Sequence, residues 1–116
     1  MYIDGLVIAV PTDKRAEFLA HADYVDRLFI ENGALRVVEC WGDDVPHGHV
    51  TDFWRAVHAS DDEMVVFSWI EWPDKATRDA GFAKLRDDPR MMNQPVPFDG
   101  KRMIFGGFEQ VYSVEK

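Results

Sequence analysis

The chain has 116 residues, 47% of them hydrophobic and 13% aromatic, and carries a formal net charge of −8. That length and apolar content suit one folded domain spanning residues 1–116 and exclude a disordered segment. With no cluster of Lys and Arg there is no phosphate-facing footprint for nucleic acid, and the lone Cys40 excludes an internal disulfide or a zinc site built from thiolates alone.

Tyr2–Val10 reads as the first strand. Leu6, Ile8 and Val10 lie on one face and Ile3, Val7 and Ala9 on the other, so both faces are apolar. Asp4 is the polar exception, and Gly5 beside it predicts a bulge or a close backbone approach. The Leu6–Val10 run is too short for a signal-peptide core or a membrane span, which sets the expectation of a cytoplasmic protein with no membrane partner. Pro11 ends the strand, and Thr12 or Asp13 is placed to cap a helix that runs to about Asn32. Phe18, Ala22, Val25 and Phe29 form its single apolar stripe. His21 lies beside that stripe and is expected to be partly exposed. Asn32-Gly33 supplies a left-handed stop.

Ala34–Gly42 alternates as a second strand, and a turn over Gly42–Pro46 leads into the loop His47-Gly48-His49. Asp52–Val57 reads as a short helical turn capped by Thr51 or as a short edge strand. Glu63–Trp72 is the densest run of β-formers, apolar on both faces, and belongs in the middle of a sheet. Asp74 caps a second helix over Lys75–Asp88. Gly81 inside it costs about 1 kcal/mol against Ala, for which close packing is a reason. A loop with one helical turn follows Pro89. Lys101–Val114 reads as the last strand, with a bend or bulge at Gly106-Gly107.

The order β-α-β-β-α-β is that of a ferredoxin-like α+β unit with a four-stranded antiparallel sheet. Two helices cover one face of such a sheet, yet the first, third and fourth strands are apolar on both. The second face therefore calls for another copy of the chain, a homodimer.

Four segments, Gly42-Asp43-Asp44-Val45-Pro46, Val65-Val66-Phe67-Ser68-Trp69, Asp88-Pro89-Arg90-Met91 and the long run Pro97–Phe108, resemble the YbaA-like bacterial proteins of unknown function. The resemblance covers nearly the whole chain and places it in the dimeric α+β barrel superfamily. It implies a ferredoxin-like protomer that pairs into a barrel, and it implies no cofactor and no mechanism. More distant members of that superfamily include cofactor-independent monooxygenases, stress-related barrels and haem-handling barrels. His47-Gly48-His49 departs from the family pattern, in which an acidic and a basic residue surround the Gly.

Polar groups on buried strands are the candidates for chemistry, because an unpaired buried charge is costly. Glu39, Glu71, Arg36, Arg102 and Asp4 form this set, with Arg55 near it. Glu71 shares a face with Trp69 and Phe67, which makes it a candidate general base with a raised pKa. Trp69, Glu71, Glu39, Arg55, Arg102 and Phe53 are the candidate ligand-binding residues, with the Trp69–Glu71 pair the first place to look. Ion pairing of Glu39 or Glu71 with an Arg at a sheet edge or dimer rim is the alternative. No metal is expected; His47 and His49, with Asp43, Asp44 or Asp52, are the residues that would hold one. The expected protein binds a small apolar or aromatic metabolite beside the sheet, with cofactor-independent, monooxygenase-like chemistry as one outcome. The other is a non-catalytic binding or stress-related accessory protein with no active site.

Overall fold

A computed structural model describes residues 1–116. Strand β1 (Tyr2–Pro11) leads through a tight 3-10 turn, Thr12–Lys14, into helix α1 (Arg15–Glu31). Strand β2 (Arg36–Trp41), the single turn α2 (Phe53–Ala56) and strand β3 (Glu63–Trp72) follow. Helix α3 (Lys75–Arg86), the single turn α4 (Pro89–Met92) and strand β4 (Ile104–Glu109) complete the chain. The sheet order is β2-β3-β1-β4 and every pairing is antiparallel, the ferredoxin-like arrangement. Two of the three strands read as apolar on both faces, β1 and β3, are the inner ones, and the third, β4, is an edge. No helix is long and apolar enough to cross a membrane.

Period-two alternation sends Leu6, Ile8 and Val10 of β1 toward the helices, with Val66, Ile70 and Trp72 of β3. Phe18 and Ala22 of α1 close over this face. Trp72 is fully buried and meets Phe29 and Phe82 edge-on, at centroid distances of 6.2 and 5.7 Å. Gly81 is there because nothing larger fits: a Cβ would sit 2.9 Å from the Trp72 ring and 2.7 Å from the Asn32 carbonyl oxygen. On the opposite face Val7, Ala9 and Val65 are covered at one end by Val57 and Trp54 from the α2 segment. The rest of that face is open, with Phe67 46% and Phe108 62% exposed.

The polar exception of β1 is matched with care. Asp4, 3% exposed, accepts the indole N–H of Trp72 at 2.9 Å and the guanidinium of Arg78 at 2.8 to 3.2 Å. Arg78 in turn lies 4.5 Å over the Phe82 ring. A second ion pair, Glu63 with Arg102 through two bonds of 2.7 Å, ties the start of β3 to the segment before β4. It holds the Glu63 carboxyl down at about 2, with the Ser60 backbone N–H assisting.

Several local expectations differ from the structure. Neither Thr12 nor Asp13 caps α1, because the 3-10 turn intervenes; Thr12 instead donates its hydroxyl to the Asp62 carbonyl at 3.0 Å. Asp52, not Thr51, caps α2, through the Arg55 N–H at 2.7 Å. Register is unbroken through Gly5↔Gly106 and Asp4↔Gly107, so neither glycine site is a bulge. Close approach is the reason for Gly107, where a Cβ would meet the Tyr2 ring at 2.8 Å. Strand β4 ends at Glu109 rather than running to Val114, and Val111, Tyr112 and Val114 are exposed.

Replacing Asp4 by Ala strands the Arg78 charge and the Trp72 N–H in a buried setting. We predict that Asp4→Ala lowers unfolding free energy by about 3–5 kcal/mol in urea titrations, and that adding Arg78→Met recovers much of the loss. A loss under about 1 kcal/mol would show that the pair does not hold α3 to the sheet.

Candidate functional site

Between α1 and the sheet lies a cavity of about 200 Å³, lined by 15 residues of which 11 are hydrophobic. Its polar groups are His21 and Asp26 from α1, Glu39 from β2 and Ser68 from β3. Helical geometry explains the first two: Asp26 lies one turn beyond Ala22 and His21 one turn before Val25, so each edge of the apolar stripe carries one polar group to the sheet. On β2, Glu39 shares with Val37 and Trp41 the face turned toward the helices. It stands directly opposite Ser68 in the β2–β3 register, and Ser68, 2% exposed, donates its hydroxyl to a Glu39 carboxylate oxygen.

Asp26 sits within hydrogen-bonding reach of Glu39, and its carboxyl is pushed up to about 9. Burial is the main cause, followed by the hydrogen bond to Glu39 and repulsion from Glu39 and Asp23. At neutral pH Asp26 therefore favours its protonated form, facing Glu39. Burial lowers the His21 imidazole, opposed by the Pro95 carbonyl and Glu39. Its Nδ1 is buried with no hydrogen-bond partner. The ring also meets Phe98 edge-on at 5.9 Å. A half-buried carboxyl with a proton to give, beside a second carboxyl group, is equipped for general acid–base work on a bound molecule.

The structure scatters the residues singled out in the sequence. Glu39 lines this cavity. Trp69, Glu71 and Phe53 lie on the opposite, open face of the sheet. There the Trp69 indole donates to Glu71 at 2.8 Å, Arg36 stands 3.6 Å from the same carboxylate oxygen, and Phe53 packs edge-on to Phe67 at 6.1 Å. Arg36 and Glu71 are register partners, so theirs is an ion pair at the sheet edge. Arg102 is engaged by Glu63, Asp99 and the His58 carbonyl. Arg55 is exposed beside Asp52, at 3.7 Å. His47 stacks on Trp54 at 5.3 Å, with Asp52 3.8 Å from its Nδ1, and His49 is exposed. No group of three or more His, Cys, Asp and Glu side chains is placed to hold a metal ion.

Asp26 and Ser68 were not singled out for chemistry, and His21 was read only as partly exposed. A signal existed for each: an acid at the border of an apolar helical stripe, a hydroxyl alternating with Val66 and Ile70, and a histidine four residues before a stripe position. What joins them is the β2–β3 register and the docking of α1, which no local pattern specifies.

A family model described as "Protein of unknown function (DUF1428)" matches residues 1–100. The chain is 55% identical over 112 residues to the uncharacterized protein YbaA of Escherichia coli K12, covering 95% of this chain and 96% of that protein. Identity and coverage are the same for YbaA of Shigella flexneri. Among solved structures, an uncharacterized NIPSNAP domain protein from Burkholderia xenovorans superposes with a TM-score of 0.58, at 17% identity and full coverage of both chains. At that identity the likeness speaks to the fold.

The proton on Asp26 has a consequence for stability. Its folded value, about 9, stands above the ordinary 3.8, so stability is fully present below about pH 4. Above that the unfolded chain sheds the proton first, and stability falls until about pH 9. We predict that Asp26→Asn flattens this decline and is more stable than the parent at pH 8 by about 1–3 kcal/mol in urea titrations across pH. An unchanged slope would mean that no proton is shared.

Proposed function

Since the chain belongs to the DUF1428 family, whose members are proteins of unknown function, we propose a role from the cavity itself: it binds a small apolar or aromatic molecule between α1 and the sheet, and passes a proton to or from it through Asp26 and Glu39. The observation that carries this reading is the convergence of His21, Asp26, Glu39 and Ser68 on an otherwise apolar cavity. Pockets that bind small molecules have this composition, apolar walls with a few polar groups that fix orientation. Monooxygenase-like chemistry without a cofactor would take place in the same cavity, and oxygen consumption in the presence of a bound compound reads it.

A second reading, a binding or stress-related protein without catalysis, is favoured by one observation: Ser68, Glu39 and Asp26 satisfy one another within the chain. Glu39→Gln separates the two. Under the first reading turnover falls by at least about tenfold while the compound still binds; under the second, binding and stability are all that change.

The open face supports a homodimer as the working form. Ile3, Val7, Phe67, Trp69, Ile104 and Phe108 border an apolar basin of about 730 Å³ on it. The exposed tail residues Val111, Tyr112 and Val114 find no surface on their own chain. Exposed apolar area of this kind is rare on monomers, and a two-fold pairing of sheet on sheet covers it. Native mass spectrometry is expected to show a dimer, and Phe67→Lys, a change at a position exposed in the single chain, to yield monomers with native circular dichroism. A monomeric parent protein would refute this arrangement.

A further inference from the structure

The donors inside the cavity are already committed. Ser68 gives its hydroxyl proton to Glu39, and Asp26 gives its carboxyl proton to the same group. What remains are acceptors: the free lone pairs of the two carboxyl groups. His21 Nδ1, at the edge of the cavity, is buried with no hydrogen-bond partner and can take a polar group of the ligand. No Lys or Arg is among the 15 lining residues, and the chain as a whole carries −8. An anion brought here would lose its hydration, face the Glu39 carboxylate and find no Lys or Arg to replace water, a penalty that buried unpaired charges do not recover. An ammonium ion would lose hydration against 11 hydrophobic residues and compete with the proton already held. A neutral hydroxyl or N–H meets acceptors directly. Size is a further limit: a cavity of about 150 Å³ holds a benzene ring, so about 200 Å³ holds one ring with a short substituent.

From this inventory of donors and acceptors we infer, resting on the reading of the cavity as a ligand pocket, that its ligand is an uncharged, single-ring molecule presenting a hydroxyl or N–H to Glu39 and Asp26, and that carboxylates and phosphates are rejected. The site therefore discriminates by the sign of hydrogen bonding rather than by apolar shape alone.

Matched compounds test this on the full chain. One set is 2-phenylethanol, 2-phenylethylammonium and phenylacetate; parallel sets carry a thiophene and a cyclohexane ring. Binding is read from shifts of the Ile8, Val25 and Ile70 methyl signals, which report the cavity. The alcohol of at least one set binds at least about tenfold more tightly than its carboxylate and its ammonium. In Glu39→Gln the preference over the carboxylate falls below about threefold, whereas Asp26→Asn, which stays neutral, keeps it. A carboxylate or ammonium that binds as tightly as the matched alcohol overturns the inference while leaving the pocket intact. Failure of every compound to move the cavity methyls refutes the pocket reading, and this inference with it.

Discussion

One constraint organises the molecule: its two inner strands are apolar on both faces, and the chain supplies helices for only one. Helices α1 and α3 close over the face carrying Leu6, Ile8, Val10, Val66, Ile70 and Trp72. The single turn α2 shields only one end of the other, leaving Phe67 and Phe108 in solvent. The fold thus has a closed side and an open side before any function is considered. The proposed pocket lies on the closed side, and the proposed partner copy would cover the open one.

The fold meets the cost of carboxylates withdrawn from water in two ways. Asp4 and Glu63 each receive a guanidinium, from Arg78 and Arg102, in bidentate geometry. Such pairs fix the docking of one element on another and leave no group free to react. Asp26 and Glu39 receive no cation. In the proposed reading a proton on Asp26 takes its place, with Glu39 beside it to accept one. That difference, cation against proton, separates the structural carboxylates from the ones suited to chemistry.

Much of the architecture was legible from alternation and punctuation. Strand β3 runs over Glu63–Trp72 as its β-formers predict, Asp74 caps α3 through the Thr77 N–H at 2.7 Å, and Asn32-Gly33 ends α1 with Gly33 at a φ of 109°. Local pattern misled where tertiary context decided. The alternation after Glu109 looked like strand, but no neighbouring strand is there to pair with it. Gly106-Gly107 looked like a bend, but the glycines admit the Phe108 and Tyr2 rings within a regular ladder. The site was legible in part. Glu39 could be recognised as a carboxylate on a buried strand, and Ser68 and Glu71 could be placed on opposite faces. That Glu39 would meet Asp26, 13 positions earlier on a helix, depends on how α1 lies across β2, and periodicity does not fix that angle.

The central claim is that Asp26 and Glu39 share a proton inside the cavity. Infrared difference spectroscopy of the native protein against Asp26→Asn measures this directly. The account predicts a carbonyl stretch of a protonated carboxyl at pH 7, absent from the variant and disappearing from the native protein as the pH passes about 9. Two fully ionised carboxylates at pH 7, with no protonated band to lose, would contradict it.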